Sequence, residues 1–353
     1  MSKTFIATSV LIGTIVGAGI LGIPYVTMQS GFGVSLLNMI LICIAMIITM
    51  LYLGQIALAS KTNNHLPGYA EKYLGKKGKN IMFIAFAFGV YTAIVAYLIG
   101  EGESLSFLFF NNIDYSLYFG IITWIAVSLM SYYGLKAFKD GEEIGVILIF
   151  ILIISITVFA WNKIDVSNLS YNYPEKFFVP FGVILFAFLG FSSIPEVKNL
   201  IGKEEKAMKK SIIAANIIVL FIYAIFAAIV VGFKGLDTPQ IATLALGKGF
   251  VLLGMITMFT SYLALSIALI DSLTFDFNIK RTKSWFYTIS IPIILFIAIQ
   301  IFNLSSFTRI LGISGVVSGG LMAIVILFMA RKAKKTHEKS EYKIPYSPLL
   351  SLI

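Results

Sequence analysis

The chain has 353 residues, of which 58% are hydrophobic and only 12% are charged. A water-soluble domain of this length could not bury so much apolar surface, so the composition indicates a membrane protein. The apolar segments recur at lengths suited to transmembrane helices, which predicts an all-α polytopic protein.

Ten apolar segments follow one another along the chain, and the basic residues between them are strongly biased. The segments lie at about 5–28, 31–59, 80–108, 116–133, 143–161, 177–199, 211–232, 249–271, 285–302 and 306–329. Lys and Arg number 22 on one side and four on the other, at Lys163, Lys176, Lys234 and Lys248. By the positive-inside rule this bias predicts cytoplasmic termini in the cytoplasmic membrane. The net charge of +10 thus reflects topology and contact with the lipid bilayer, and it argues against a nucleic-acid partner.

The first segment contains an unusual run, because residues 13–24 read GTIVGAGILGIP. Four glycines and a proline weaken a helix when they lie in its middle. Backbone groups freed inside hydrocarbon are tolerated only where they line a cavity. The run therefore predicts that the first transmembrane helix is broken at a functional site.

A related run occurs in the sixth segment, where residues 186–197 read FAFLGFSSIPEV. When Pro24 is aligned with Pro195, Gly19 matches Gly190, and the offset is 171 residues. Five segments separate the two runs, so they cross the membrane in opposite directions. This pattern predicts an inverted repeat of five plus five transmembrane helices.

Two broken helices offer the backbone groups that would bind a small zwitterion. Helix N-termini attract an anion such as a carboxylate, and unwound carbonyls attract an ammonium group or a metal cation. An amino acid carries both charges a few ångströms apart. The alternative interpretation is that the glycines, among them Gly13 and Gly17, only allow close helix packing.

The two runs resemble helices 1 and 6 of the amino acid–polyamine–organocation (APC) superfamily. Residues 68–79, GYAEKYLGKKGK, are similar to the stretch before helix 3, and 310–320, ILGISGVVSGG, resembles helix 10 of the amino acid/auxin permease and aromatic amino acid permease branches. The resemblance implies the LeuT-type fold, with helices 1 and 6 unwound around the substrate. It predicts one transmembrane domain at 1–330, with repeats at about 5–161 and 177–329, and a basic cytoplasmic tail at 331–353.

The same resemblance implies a substrate site made largely of backbone groups. Amides would bind the substrate carboxylate and carbonyls its amine, namely the amides of Ala18, Gly19 and Ile20 and the carbonyls of Ile15, Phe186 and Leu189. Phe186, with Tyr91 or Tyr97 of helix 3, would shape and cover the pocket, and Gly190 would permit close approach at the second break. The alternative for both tyrosines is ordinary packing.

A coupling ion is expected beside this site, because residues 257–261 read TMFTS. In the sodium-coupled LeuT-type transporters, hydroxyls at matching positions and nearby carbonyls bind the ion, which here implies Gly13, Val16, Thr257, Thr260 and Ser261. Neutral oxygens suit a hard cation, although such hydroxyls also bond within their own helix. A proton is the other candidate, and the fifth segment lacks the lysine that some proton-coupled relatives carry there. No other cofactor is expected.

Charged side chains within the segments are functional candidates because their burial is costly. Glu101, Glu103 and Arg309 lie towards the outer ends of segments 3 and 10, which suggests an ion-paired outer gate. The alternative is that they extend to the interface. Glu196 is expected to brace the inner half of helix 6, and the single cysteine, Cys43, to be a core residue.

Other classes of protein receive less support from the sequence. The only histidines, His65 and His337, lie in loops, and no Gly-x-Ser-x-Gly or Cys/His cluster appears, so an enzyme is not expected. A channel fits broken inverted repeats less well than alternating access does. A non-transporting amino-acid sensor stays possible, as does exchange in place of symport. No obligate protein partner is inferred, and neutral amino acids are favoured because the pocket candidates carry no charge.

Overall fold

The computed structural model describes residues 2–60, 65–133, 151, 153–202 and 204–335, and this part of the chain is almost entirely helical. The α-helices are α1 (Lys3–Ile15), α2 (Ile23–Ser30), α3 (Phe32–Ala59), α4 (Leu66–Phe110), α5 (Ser116–Tyr133), α6 (Phe181–Ala187), α7 (Ile194–Ile201), α8 (Glu205–Lys234), α9 (Lys248–Asp271), α10 (Arg281–Phe302), α11 (Phe307–Ser314) and α12 (Gly320–Lys335). A further helical stretch covers residues 153–160.

Nine candidate membrane spans lie within the described residues when the bent pair α1 and α2 is taken as one. They match nine of the ten predicted segments, and the first half of the fifth, residues 143–150, lies outside the described residues. The whole tail from residue 336 onward, which includes His337, also lies outside the described residues. The number of ten spans and their five-plus-five arrangement therefore stay predictions.

Both proline-containing runs interrupt a helix, as the sequence predicts. α1 ends at Ile15, a 3₁₀ turn covers Ala18–Gly22, and α2 resumes at a 48° angle with Pro24 in its first turn. In the other run α6 ends at Ala187, a 3₁₀ turn covers Phe191–Ser193, and α7 begins with Pro195 in its first turn. A proline fits there because its missing N–H would have no partner within the helix.

The two broken spans are antiparallel neighbours. The Lys3 ammonium at the start of α1 donates to the carbonyl of Ile201 at the end of α7, over 3.1 Å. At the same end of the bundle, Lys198 donates to the carbonyl of Ser60, over 2.8 Å. We call this end, which also holds the start of α4, the basic face. The antiparallel pairing is what an inverted repeat requires.

α4 lies at the centre of the bundle and contacts α5, α9, α10, α11 and α12. It bends sharply at Gly75, whose φ of +70° is a conformation that favours glycine, so Leu66–Leu74 forms a separate short helix on the basic face. Cys43 is a buried core residue, as expected, and its thiol approaches the carbonyl of Asn216 at 3.5 Å.

Candidate functional site

A cavity of about 460 Å³ begins at the two helix breaks and extends to the basic face. Its inner wall includes Gly17, Gly19 and Leu189 from the breaks. Its mouth is lined by residues at helix ends on the basic face, among them His65 and Asp271. The volume is in the range of sites that hold small molecules.

The glycines of each break make close contact with the other break. A Cβ on Gly19 would lie 2.8 Å from Cα of Ala187, and one on Gly190 would lie 2.5 Å from Cγ1 of Ile15. Because side-chain atoms are absent at both positions, the two unwound segments can touch. This contact brings the predicted carboxylate-binding and amine-binding groups to one place.

The backbone groups of the first break are partly engaged. Ala18 and Gly19 are the first residues of the resumed helix, where N–H groups lack helical partners. The amide of Ile20 donates to the carbonyl of Gly17, over 3.4 Å. Ala18 and Ile20 are buried and lie outside the cavity wall, whereas Gly19 lies in it.

Tyr223 of α8 connects the two breaks and was not anticipated from the sequence. Its hydroxyl oxygen lies 3.0 Å from the carbonyl oxygen of Ile15 and 2.7 Å from that of Ala187. The Ile15 carbonyl also accepts the amide of Gly17, over 2.9 Å. A buried tyrosine hydroxyl usually finds a hydrogen-bond partner, so a tyrosine in the middle of an apolar span is the sequence signal that points to Tyr223.

The second break offers Phe186 and Leu189 to the cavity. Both residues line it, and the carbonyl of Phe186 accepts the amide of Leu189, over 3.1 Å. Gly190 is not among the lining residues and lies against the side chain of Ile15, which is. Phe186 thus lies where the predicted covering role requires, and its ring atom Cδ1 would lie 3.2 Å from a Cβ on Gly19.

Only one of the two tyrosines predicted for α4 reaches the cavity. Tyr97 lines it, with its hydroxyl 3.8 Å from the position of a Cβ on Gly17. Tyr91 instead donates to the carbonyl of Tyr287 on α10, over 3.3 Å. Six residues along a helix correspond to about 600°, which turns Tyr91 to a different face. Of the two alternatives, Tyr97 therefore lies in the cavity wall and Tyr91 lies outside it, and the role of either in covering the substrate stays a prediction.

Four of the five residues predicted for a sodium site lie together in the cavity wall, namely Gly13, Val16, Thr260 and Ser261. Ser261 Oγ would lie 3.2 Å from a Cβ on Gly17, so α9 touches the first break at this point. The fifth residue, Thr257, is buried outside the wall, and its carbonyl accepts the Thr260 hydroxyl over 3.0 Å. Thr257 is therefore the least available of the five.

The end of the cavity away from the basic face is closed by packed residues. A Cβ on Gly22 would lie 3.3 Å from side-chain atoms of both Leu311 and Val183, and the backbones at Gly182 and Gly312 are in contact. The side-chain oxygen of Gln240, in the loop before α9, accepts the amide and the hydroxyl of Thr308 over 3.3 and 3.0 Å. The cavity is therefore open to one face only.

The predicted outer gate is not formed in this structure. Arg309 is exposed, whereas Glu101 is 2% exposed and faces the backbone of Phe259 on α9. No ion pair within 4 Å joins Arg309 to Glu101 or Glu103, all three of which the structure describes. The gate stays a prediction for another conformation. Glu196 lines the cavity mouth, and its bracing role likewise stays a prediction.

The bundle of apolar helices, the paired breaks and the enclosed cavity define an integral membrane protein with a small-molecule site. Comparison with known proteins assigns the class. The sequence profile of the tryptophan/tyrosine permease family matches residues 1–251, and the chain belongs to this family. It is a permease in the APC-related group of amino acid transporters and not an enzyme, as the sequence predicts.

Named relatives cover the chain to different extents. The tyrosine-specific transport system 1 of Haemophilus influenzae is 23% identical over 98% of this chain and 92% of its own length. The glutamine transporter 2 of Aliivibrio fischeri is 24% identical over 65% of this chain and 61% of its own. The tyrosine-specific transport system 2 of H. influenzae is 28% identical over 30% of this chain and 26% of its own.

Proposed function

We propose that this permease carries neutral L-amino acids across the cytoplasmic membrane by alternating access, as a symporter coupled to sodium. The observation that carries the proposal is the meeting of the two helix breaks at one cavity, where Gly19 touches Ala187 and Gly190 touches Ile15. A zwitterion bound there uses helix termini and carbonyls in place of charged side chains.

The charges around the cavity support a substrate with an uncharged side chain. Among the described residues that line it, those with carboxylate or imidazole groups are His65, Glu196 and Asp271, all towards the mouth. The wall near the breaks is apolar or carries hydroxyls. A cationic or acidic side chain would find no counter-charge there, and burying it unpaired would be costly. The relatives named for tyrosine and glutamine are in keeping with this proposal.

The conformation fits one half of an alternating-access cycle. The cavity is continuous with the basic face and closed at the other end by the contacts of Gly22 and Gln240. The excess of Lys and Arg supports a cytoplasmic position for the basic face and for both termini. In this proposal the structure represents the inward-facing state, from which substrate is released to the cytoplasm.

Sodium is the coupling ion that the hydroxyl groups favour. Ser261 lies against Gly17 of the first break, and Thr260 lines the same wall. The Thr260 hydroxyl donates to the carbonyl of Thr257, which leaves its oxygen lone pairs free for a cation. Neutral oxygens from two spans suit a hard monovalent ion.

A proton is the second candidate, and one specific observation favours it. Glu101 is buried in α4, its Oε1 has no hydrogen-bond partner, and no Lys, Arg or His within 4 Å pairs with it among the described residues. An unpaired carboxylate in that position would be costly, so this group is suited to carry a proton.

Uptake of radiolabelled amino acids into proteoliposomes tests the proposal. It should be measured with an inward sodium gradient, an inward proton gradient and neither. Sodium-dependent uptake that is lost in Thr260→Ala and Ser261→Ala would support the proposal. Uptake driven by protons and lost in Glu101→Gln would replace sodium by a proton. Exchange without either gradient would reject symport, and binding without uptake would favour a sensor.

A further inference from the structure

Beside the second helix break, α4 and the last described span, which contains α11 and α12, meet at a group of small and polar residues. The segment between α11 and α12, Gly315–Gly319, is a π-helix, a form that occurs frequently at functional sites. A Cβ on Gly319 would lie 3.0 Å from Cδ2 of Leu189, so this segment borders the second break directly. A Cβ on Gly89 of α4 would lie 2.2 Å from Oγ of Ser318, so the two helices are in close contact here.

Most hydroxyls at this contact have partners within the protein. Thr92 and Ser314 share a hydrogen bond of 2.8 Å, and Thr92 also donates towards the carbonyl of Phe88, over 2.7 Å. Ser314 Oγ lies 3.4 Å from the carbonyl of Gly89. These hydroxyls are explained by the packing of the two spans.

Ser318 differs from its neighbours. It lies in the cavity wall, it is fully buried, and its hydroxyl has no hydrogen-bond partner. Leaving a buried hydroxyl unpaired costs free energy, so a partner supplied by a ligand would be favourable. The residues around it, Phe86, Val90, Ala93 and Met322, are apolar and also line the cavity.

Resting on the proposed function, we infer that Ser318, whose hydroxyl packs against Gly89 in this structure, turns that hydroxyl into the cavity and determines specificity by bonding the polar tip of the substrate side chain. The amino and carboxylate groups of the substrate lie at the breaks, and its side chain lies along Leu189 against the wall formed by Phe86, Val90 and Met322. A flat or slender side chain that is apolar along its length, uncharged and polar at its tip fits this wall. A phenol or a carboxamide meets that description.

The charges support an uncharged tip. Neither Lys, Arg, Asp nor Glu is among the described residues that line this part of the cavity, since Glu196 and Asp271 lie towards the mouth. A hydroxyl can both donate and accept, so Ser318 can bond a phenol or either end of a carboxamide. A purely aliphatic or unsubstituted aromatic side chain would leave it unpaired.

Competition between matched substrates tests the inference in proteoliposomes that contain the full chain. Tyrosine is compared with phenylalanine, and glutamine with methionine, in the parent protein, in Ser318→Ala and in Ser314→Ala. The parent should prefer the polar member of at least one pair. Loss of one neutral hydrogen bond in Ser318→Ala should lower that preference about five- to tenfold. Ser314→Ala, which removes a hydroxyl already bonded within the protein, should keep the parental ratio.

The ratio within one variant is insensitive to how much protein folds, so a structural role of Ser318 would not change it. An unchanged preference in Ser318→Ala, an equal loss in Ser314→Ala, or a parent without preference for either polar substrate would overturn the inference while leaving amino-acid transport standing. If the parent neither binds nor carries any amino acid, the proposed function itself fails, and the inference falls with it.

Discussion

The hydroxyl of Tyr223 serves two carbonyls that belong to different broken helices, those of Ile15 and Ala187. A phenol has one proton, so it can satisfy only one of them fully at a time. The second carbonyl keeps acceptor capacity next to the cavity. A single side chain of α8 thus fixes the distance between the breaks and leaves room for a donor from the substrate.

Replacing Tyr223 by phenylalanine removes only the hydroxyl, so this variant tests whether the hydroxyl holds the two breaks together. We expect Tyr223→Phe to lower the free energy of unfolding by about 1–3 kcal/mol, because buried carbonyls lose their donor. Transport should fall more than tenfold because the breaks lose their common support. Thermal unfolding in detergent and initial uptake rates would measure both.

Tyr262→Phe is the matched control. Tyr262 is a buried tyrosine of α9 whose hydroxyl has no hydrogen-bond partner, so its removal should be neutral or slightly stabilising. If both variants behave alike, the hydroxyl of Tyr223 has no special role.

Gly19 is required by contact between the backbones of the two breaks. Gly19→Ala should disrupt the site, because its Cβ would lie 2.8 Å from Cα of Ala187, and a backbone atom cannot turn aside as a side chain does. We expect destabilisation of about 1–3 kcal/mol and loss of amino-acid binding. Gly320→Ala, at a helical position with open space, should instead gain up to about 1 kcal/mol. Isothermal calorimetry and melting curves would distinguish the two.

At the scale of elements, the loop between α8 and α9 holds the closed end of the cavity. Its residues Ile241 and Ala242 are fully buried, and Gln240 accepts two hydrogen bonds from Thr308 in the first turn of α11. The first N–H groups of a helix lack helical partners, so this side chain supplies what the helix needs. The loop is thereby joined to the last described span.

Removal of this link should loosen the closed end. In Gln240→Leu the amide hydrogens at the start of α11 should exchange with deuterium roughly tenfold faster, because local opening becomes easier. Hydrogen-exchange mass spectrometry would measure this. Asp237→Asn, in the same loop, should leave the exchange unchanged. Equal protection of residues 306–312 in both variants would contradict the assigned role of Gln240.

At the scale of the molecule, the cavity opens to the basic face and is closed at the other, and the single cysteine makes this testable. Cys43 is buried, so Cys43→Ala gives a background without reactive thiols. A cysteine at Ala264, in the cavity wall, should react with a membrane-impermeant thiol reagent from the basic face. A cysteine at Leu236, which is 73% exposed beyond the far end of α8, should react from the opposite face.

Labelling in right-side-out and inside-out vesicles gives the outcome directly. Reaction of Ala264→Cys from the cytoplasmic side, and of Leu236→Cys from the other, would establish both the orientation and the open side. Reaction of Ala264→Cys from the same side as Leu236→Cys would contradict the inward-facing interpretation.

The sequence by itself determined the features that depend on local chemistry. Apolar length, the distribution of Lys and Arg, and the paired runs with Pro24 and Pro195 predict the spans and the two breaks, because a helix cannot continue regularly through such residues. The family resemblance also placed Gly19, Phe186, Thr260 and Ser261 beside one cavity.

Only the tertiary structure decided how side chains on distant spans meet. The sequence does not show that Tyr223 reaches Ile15, that Tyr91 turns towards α10, or that Ser318 alone among its neighbours lacks a partner. Each depends on the rotation of one helix against another, which differs by about 100° for each residue of offset. Composition and spacing fix which residues lie in the membrane, whereas packing fixes which of them face the substrate.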